Sequence, residues 1–100
     1  METYQVAELS ITQHDQTTKL LFTQAQLFIV TDTGYRLWYI DIDGMPQSSL
    51  LHAFNESSDL RVELQGITAG GRKIEGTGFL HPNVMHHAAA IRGDGELAGF

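Results

Sequence analysis

The sequence contains no cysteine and only two prolines among its 100 residues. Without cysteine it has neither a disulfide framework nor a thiolate metal site, so its stability must come from packing, with oligomerisation as a further source. No apolar run approaches the roughly 18 residues of a membrane-spanning helix. The N-terminal residues also lack the basic and apolar pattern of a secretory signal, so we expect a cytoplasmic chain.

Basic residues are scarce as well, with six Lys and Arg against 12 Asp and Glu, for a net charge of −6. Residues 1–60 hold eight acidic residues against only Lys19 and Arg36, whereas residues 61–100 hold four of each sign. Binding to phosphate backbones and anionic lipids depends on clustered basic residues. The charge pattern therefore disfavours nucleic acid and membrane surfaces as partners.

The hydrophobic content is 42%, which is enough for one core in a chain of this length. We therefore treat residues 1–100 as a single domain. Turn formers divide the chain at intervals that suit strands, at His14-Asp15-Gln16, Asp32-Thr33-Gly34, Ala69-Gly70-Gly71 and Gly93-Asp94-Gly95. The segments between these turns are rich in β-branched and aromatic residues and are predicted strands: TYQVAELSIT, TKLLFT, QLFIVT, YRLWYIDI, LRVELQGIT and RKIEGTGFL.

Alternation of apolar and polar residues is clearest over residues 60–65, which predicts a strand with one solvated face. This strand is expected to form a hairpin with residues 72–80, where Gly76 and Gly78 leave room on the inner face for a bulge, a bend or a close neighbour. The Asp-Gly step in Gly93-Asp94-Gly95 predicts a second hairpin, between HHAAAIR and ELAGF.

Two segments, Leu27–Val30 and Tyr35–Ile42, are apolar at both alternating positions. Such strands are either central and covered on both faces, or have one face covered by another subunit. The second alternative makes a homo-oligomer possible.

One short helix is predicted near residues 46–55, because Pro46 suits a first helical turn and Leu50, Leu51 and Phe54 lie on one side. For Pro82–Ile91 we expect a loop followed by a strand. The complete prediction is a mainly β domain: a small antiparallel meander, barrel or sandwich, of seven to eight strands.

Three histidines, His81, His86 and His87, lie within seven residues and are the candidate metal ligands. Adjacent side chains point apart in either a strand or a helix, so at most one of His86 and His87 readily joins His81. The alternative is that all three serve as polar loop residues. A fourth histidine, His52, could join them only through the tertiary fold.

Asp41 and Asp43 are two residues apart and would share one face of a strand, as paired catalytic or cation-binding carboxylates can. We favour the interpretation that they end the strand and precede the helix. No catalytic motif is complete: there is no Gly-x-Ser-x-Gly elbow and no phosphate loop, and no cofactor is predicted.

Tyr35, Trp38 and Tyr39 lie on one predicted strand. Their rings either belong to the core, or they line a pocket or anchor a protein interface. The sequence thus favours a non-catalytic module that binds another protein or itself. The alternative is a small-ligand or metal-binding β barrel, with enzymatic activity left open, that uses the region of His81, His86 and His87. A third possibility is a structural subunit whose edge strands pair between copies.

Overall fold

The structure is a computed structural model and describes residues 1–32 and 34–100. Within these residues there are seven strands, one α-helix and one short 3₁₀ turn. Their bounds are β1 Glu2–Gln13, β2 Gln16–Lys19, β3 Gln24–Asp32, β4 Tyr35–Asp43, α1 Ser48–Glu56, β5 Arg61–Thr68, β6 Lys73–Asn83, the 3₁₀ turn Val84–His86, and β7 Ala88–Ala98. The predicted class, mainly β with seven to eight strands and one helix near residues 46–55, is confirmed.

All strand pairs are antiparallel, and the sheet order is β2-β1-β3-β4-β7-β6-β5. An additional pairing joins β1 to β5, for example at Ile11 and Leu64. Six strands therefore close into a barrel. The sequence had left open whether the fold is a barrel or a sandwich. The short strand β2 pairs with the last residues of β1 outside this closed ring.

The barrel interior is filled by aliphatic side chains from every barrel strand. Burying one Leu or Ile side chain contributes about 1.5–3 kcal/mol, so this core is the main source of stability. The helix α1 packs against β6 and buries Leu51 and Phe54. Fully buried residues include Leu9, Leu27, Ile40, Ile42, Leu64, Ile74, Leu80 and Ile91.

The β5–β6 hairpin has one buried and one solvated side on β5, as predicted. Val62 and Leu64 are buried, while Arg61 and Glu63 are exposed. The turns at residues 14–15 and 69–72 also lie where they were predicted, and His14 and Asp15 both have positive φ, as a two-residue hairpin turn requires. The predicted turn at Asp32-Thr33-Gly34 includes Thr33, which lies outside the described residues.

The predicted strand TKLLFT is wrong beyond Lys19, where β2 ends. The backbone N–H groups that follow have partners elsewhere: Leu20 donates to the Leu9 carbonyl at 2.9 Å and Leu21 to the Gln47 side chain at 2.9 Å. Thr23 donates to the Asp43 carbonyl at 3.0 Å. Residues 20–23 are thus fixed by tertiary hydrogen bonds.

The predicted hairpin at Gly93-Asp94-Gly95 is also wrong, because these residues lie inside the single strand β7. The strand β6 pairs with β7 on both sides of them, and the register shifts between Glu75 and Thr77. Such a shift marks a bulge, and Gly95 has the positive φ of 81° that a bulge can use. The Asp-Gly step therefore bends one strand instead of connecting two.

A loop was predicted at the start of Pro82–Ile91. This prediction is wrong for the first residues, which belong to the strand β6. β6 continues through Pro82, which pairs with Ala89 of β7. β5 pairs with β6 only as far as Phe79, so proline removes no hydrogen bond on that side. The predicted strand after the loop is confirmed as the first half of β7.

Candidate interaction surface

The strands β3 and β4 present an apolar surface on the outside of the barrel. Because side chains alternate along a strand, Leu27 and Ile29 point inward, whereas Phe28 and Val30 point outward. We call the following five residues the outer apolar face: Phe28, Val30, Tyr35, Leu37 and Tyr39.

The register between the two strands sets the contacts of this face. Phe28 lies opposite Tyr39, with ring centroids 4.8 Å apart and an interplanar angle of 15°. Val30 lies opposite Leu37. Leu37 is 61% exposed and Tyr35 is 73% exposed, so no other part of the described chain covers this end of the face. Of the two alternatives that the sequence left open, coverage of both faces by the chain itself therefore does not hold at the Tyr35–Leu37 end of β4.

A row of alternating rings and guanidinium groups continues from Tyr39 around the barrel. Tyr39 lies opposite Arg92 of β7, which lies opposite Phe79 of β6. The guanidinium of Arg61 lies 5.6 Å from the centre of the Phe79 ring and forms an ion pair of 2.6 Å with Asp94. The aromatic surface is thus bordered by positive groups on its β7 side.

Carboxylates stand at both ends of the outer apolar face. Asp32 lies opposite Tyr35 at one end, and Asp41 follows Tyr39 by two residues at the other, so that both share the outward side. Tyr35 and Asp41 are six residues apart on β4, which corresponds to about 20 Å along an extended strand. The arrangement is an apolar centre with an acidic group at each end.

Trp38 points in the opposite direction from Tyr35 and Tyr39, into the barrel, and is 5% exposed. Its indole N–H donates to the Gly95 carbonyl at 3.0 Å. Its ring lies against Gly76 and Gly93, so the close neighbour for which the sequence left room at Gly76 is this indole. The three aromatic residues singled out from the sequence therefore divide between core and surface.

A cavity of about 150 Å³ lies beside Trp38 at one end of the barrel. Its walls are mostly apolar, and the opposite charges of Arg36 and Glu96 line it as well. No ion pair joins these two groups in the part of the chain that the structure describes. The lining residues are Ile29, Arg36, Trp38, Glu96, Leu97 and Phe100.

The Phe100 ring of this cavity is held by two neighbours. The Tyr4 ring lies 4.5 Å from it, and the guanidinium of Arg72 lies 4.4 Å from its centre. The Tyr4 hydroxyl donates to the Glu2 carboxylate, and this hydrogen bond raises the pKa of Tyr4 above its ordinary value. Ring contacts and one hydrogen bond therefore fix this wall.

The structure does not gather the three candidate histidines. His81 lies on the outer side of β6, His86 ends the 3₁₀ turn, and His87 follows it with a positive φ of 50°. All three are exposed, as is His52 on α1. Among residues 1–32 and 34–100, no three His, Cys, Asp or Glu side chains are grouped so that they could hold a metal ion.

The structure places His81 and Asp41 on either side of Ala90, on the two strands that flank β7. Both line a shallow depression together with Tyr39, Ala90 and Arg92. Asp43 is exposed at the end of β4, and its backbone carbonyl accepts hydrogen bonds from Thr23. The two aspartates share one side of the strand end, as predicted.

Several residues of this surface were not singled out from the sequence, namely Phe28, Val30, Leu37, Phe79 and Arg92. For the first three a signal existed, because apolar residues at both alternating positions of a strand indicate that one set faces outward. Phe79 and Arg92 are distant in sequence and meet only through the β6–β7 pairing.

Within the described residues, no helix is long and apolar enough to cross a membrane. No family model, no curated protein and no solved structure matches this chain, so its function must be argued from its own geometry.

Proposed function

We propose that this chain is a non-catalytic protein-interaction module that binds a basic partner protein through its outer apolar face. The observation that carries the proposal is the exposure of Leu37 and Tyr35 beside the stacked rings of Phe28 and Tyr39. Binding energy in protein interfaces concentrates in a few residues near the centre of a patch, among which Tyr is enriched. Large apolar groups that stay exposed together mark interaction sites.

The charge distribution supports a basic partner. The chain carries a net charge of −6, and Asp32 and Asp41 stand at the two ends of the apolar centre. A partner with Lys or Arg on both sides of an apolar patch would match this pattern, and its approach would be accelerated by the negative field. The same charge makes two copies of this chain repel each other, which favours a different protein over self-association.

The hypothesis of a small-ligand or metal-binding barrel has one supporting observation, the shared depression of His81 and Asp41. A metal site there would need a further ligand. Elemental analysis of protein purified with added zinc, compared between the native chain and a His81→Ala variant, distinguishes this function. Zinc bound in a fixed ratio and lost from the variant would support the metal site.

The interaction proposal is tested with a photo-crosslinking residue at position 35, in extract from the source cells. Tyr35 is replaced by p-benzoylphenylalanine, and the same residue at Gln65, an exposed position on β5, is the control. We expect a discrete adduct with a basic protein from position 35 and none from position 65. The purified partner should then bind the native chain and lose affinity for a Leu37→Thr variant.

Two results would contradict the proposal. One is an identical set of adducts from both positions, which would indicate nonspecific contact. The other is an adduct only with a second copy, together with a dimer mass by light scattering at two protein concentrations. That result would assign the outer apolar face to self-association.

A further inference from the structure

One edge of β4 lacks a strand partner over four residues. β4 pairs with β7 only from Tyr39 to Ile42, so Tyr35–Trp38 have no ladder partner on that side among the described residues. Beyond Arg92, β7 passes through the bulge around Gly95 and continues beside β6. In a strand, the backbone N–H and C=O groups of every second residue point toward the same neighbouring strand. The unpaired edge of β4 therefore offers backbone donors and acceptors to an added strand.

The cavity beside Trp38 borders this same edge. Arg36 and Trp38 of β4 form one side of it, and Glu96 and Leu97 of β7 form the other. Its volume of about 150 Å³ equals that of an apolar protein cavity that holds benzene. The unpaired edge and a ring-sized apolar space are therefore neighbours.

We propose that a partner segment in extended conformation adds to the Tyr35–Trp38 edge of β4 and inserts one aromatic or large aliphatic side chain into this cavity. The inference rests on the proposed function and specifies the conformation and the anchor of the bound segment. Strand addition gains affinity from main-chain hydrogen bonds and specificity from pockets for alternate side chains. A segment residue placed opposite Trp38 or Arg36 points toward the cavity, whereas one opposite Leu37 points toward the outer apolar face.

The charges at the cavity define the composition of the segment. Arg36 and Glu96 have opposite signs, and no ion pair joins them in the described part of the chain. Arg36 lies two residues from Trp38 on the same side of β4, so an acidic residue two positions from the anchor would meet it. β7 runs antiparallel to β4, so Glu96 lies on the Arg36 side of Trp38, and a basic residue two positions beyond the acidic one complements it. The segment is thus an apolar anchor with an acidic and then a basic residue on one side of it, within the basic partner.

The experiment uses fluorescein-labelled, end-blocked peptides and the intact chain. The first peptide is Phe-Thr-Glu-Thr-Lys, and the second has the reverse sequence, because the added strand can run in either direction. The matched controls replace Phe with Ser, or carry N-methyl groups on both Thr amides. We expect saturable binding of one of the two peptides. Replacing Phe with Ser should weaken it at least about tenfold, as the loss of one buried ring implies, and N-methylation should weaken it because main-chain hydrogen bonds are lost.

Protein variants test the location of binding. Leu97→Phe places a ring in part of the cavity and should weaken peptide binding, while Leu97→Met nearly conserves volume and should retain it. Circular dichroism establishes that both variants are folded. Equal binding of the Phe and Ser peptides, or unchanged binding to folded Leu97→Phe, would overturn the inference.

A Phe28→Thr variant separates this inference from the proposed function, since Phe28 belongs to the outer face on β3 and not to the β4 edge. It should weaken binding of the whole partner and leave peptide binding unchanged. A partner that depends on Phe28 while no peptide binds would overturn the strand addition and leave the proposed function standing. Peptide binding without any partner on the outer face would support the edge site and contradict the proposed function.

Discussion

The indole ring of Trp38 lies so close to Gly93 that a Cβ atom at position 93 would come within 2.2 Å of Trp38 Cε2. No side chain fits that space unless the indole moves. The indole also donates to Gly95 across the bulge, so its position and the course of β7 depend on each other. The free β4 edge and the cavity lie beside this bulge.

Replacing Gly93 with Ala should therefore destabilise the chain. The added methyl group displaces the indole and weakens its hydrogen bond, at a cost of about 1–3 kcal/mol as for other overpacked sites. The free energy of unfolding in urea measures this loss. Gly70→Ala is the matched control, because its nearest neighbour would be 3.9 Å away and its φ is not positive, and it should change stability by less than about 0.5 kcal/mol. Equal effects at both positions would contradict the close packing of Trp38 on Gly93.

The two sides of β4 should respond differently to truncation. Ile40→Ala removes a fully buried side chain and should cost about 2–5 kcal/mol of unfolding free energy. Leu37→Ala, three residues earlier, removes a side chain that is mostly exposed and should cost less than about 0.5 kcal/mol. Thermal or urea unfolding of the two variants compares them directly. A large loss for Leu37→Ala in a monomeric sample would show that this side chain is part of the core.

Gln47 should stabilise the irregular segment after β2. Its side-chain amide donates to the Lys19 carbonyl at 2.9 Å, and its oxygen accepts from the Leu21 N–H at 2.9 Å. Gln47→Ala removes both hydrogen bonds and should cost about 1–2 kcal/mol in urea unfolding. Ser49→Ala, at an exposed position in the first turn of α1, is the control and should be neutral within about 0.5 kcal/mol. Amide exchange at Leu21 should also be faster in Gln47→Ala, and an unchanged rate would show that the bond does not hold in solution.

Tyr4 should titrate above the ordinary pKa of tyrosine, because its hydroxyl donates to the Glu2 carboxylate. The folded state then holds this proton more tightly than the unfolded chain does. The contribution to stability is present below the ordinary pKa and is lost as the pH rises through the raised pKa of the folded state. Ultraviolet titration of tyrosinate measures the pKa, with Tyr4→Phe identifying the residue. Glu2→Gln should lower the pKa of Tyr4, and an unchanged titration would contradict the hydrogen bond.

Some features of this protein follow from local sequence. Alternation over residues 60–65 determined which side of β5 is buried, because the side-chain period of a strand is two. The helix near residues 46–55 was recognisable from its spacing of apolar residues, and the structure places it at Ser48–Glu56. Composition determined that the chain forms one core without disulfides.

Other features were decided only by contacts between distant residues. The Asp94-Gly95 step has the sequence of a hairpin turn, but pairing of β6 with β7 on both sides of it makes a bulge more favourable. TKLLFT has the composition of a strand, yet its last N–H groups bond to Leu9, Gln47 and Asp43. A local pattern cannot report such partners, because they are 11 to 26 residues away along the chain.

The candidate site shows the same division. Tyr35–Ile42 is apolar at both alternating positions. This pattern predicted that the side of the strand facing away from the core would be apolar as well. Which side faces the barrel depends on closure by the β1–β5 pairing, and this put Trp38 inside and Tyr35 and Leu37 outside. The sequence by itself thus determined the β class and the single core, and it showed that Tyr35–Ile42 is apolar at both alternating positions. Only the tertiary structure decided which of these residues face outward, because strand order and register bring together residues that no local pattern connects.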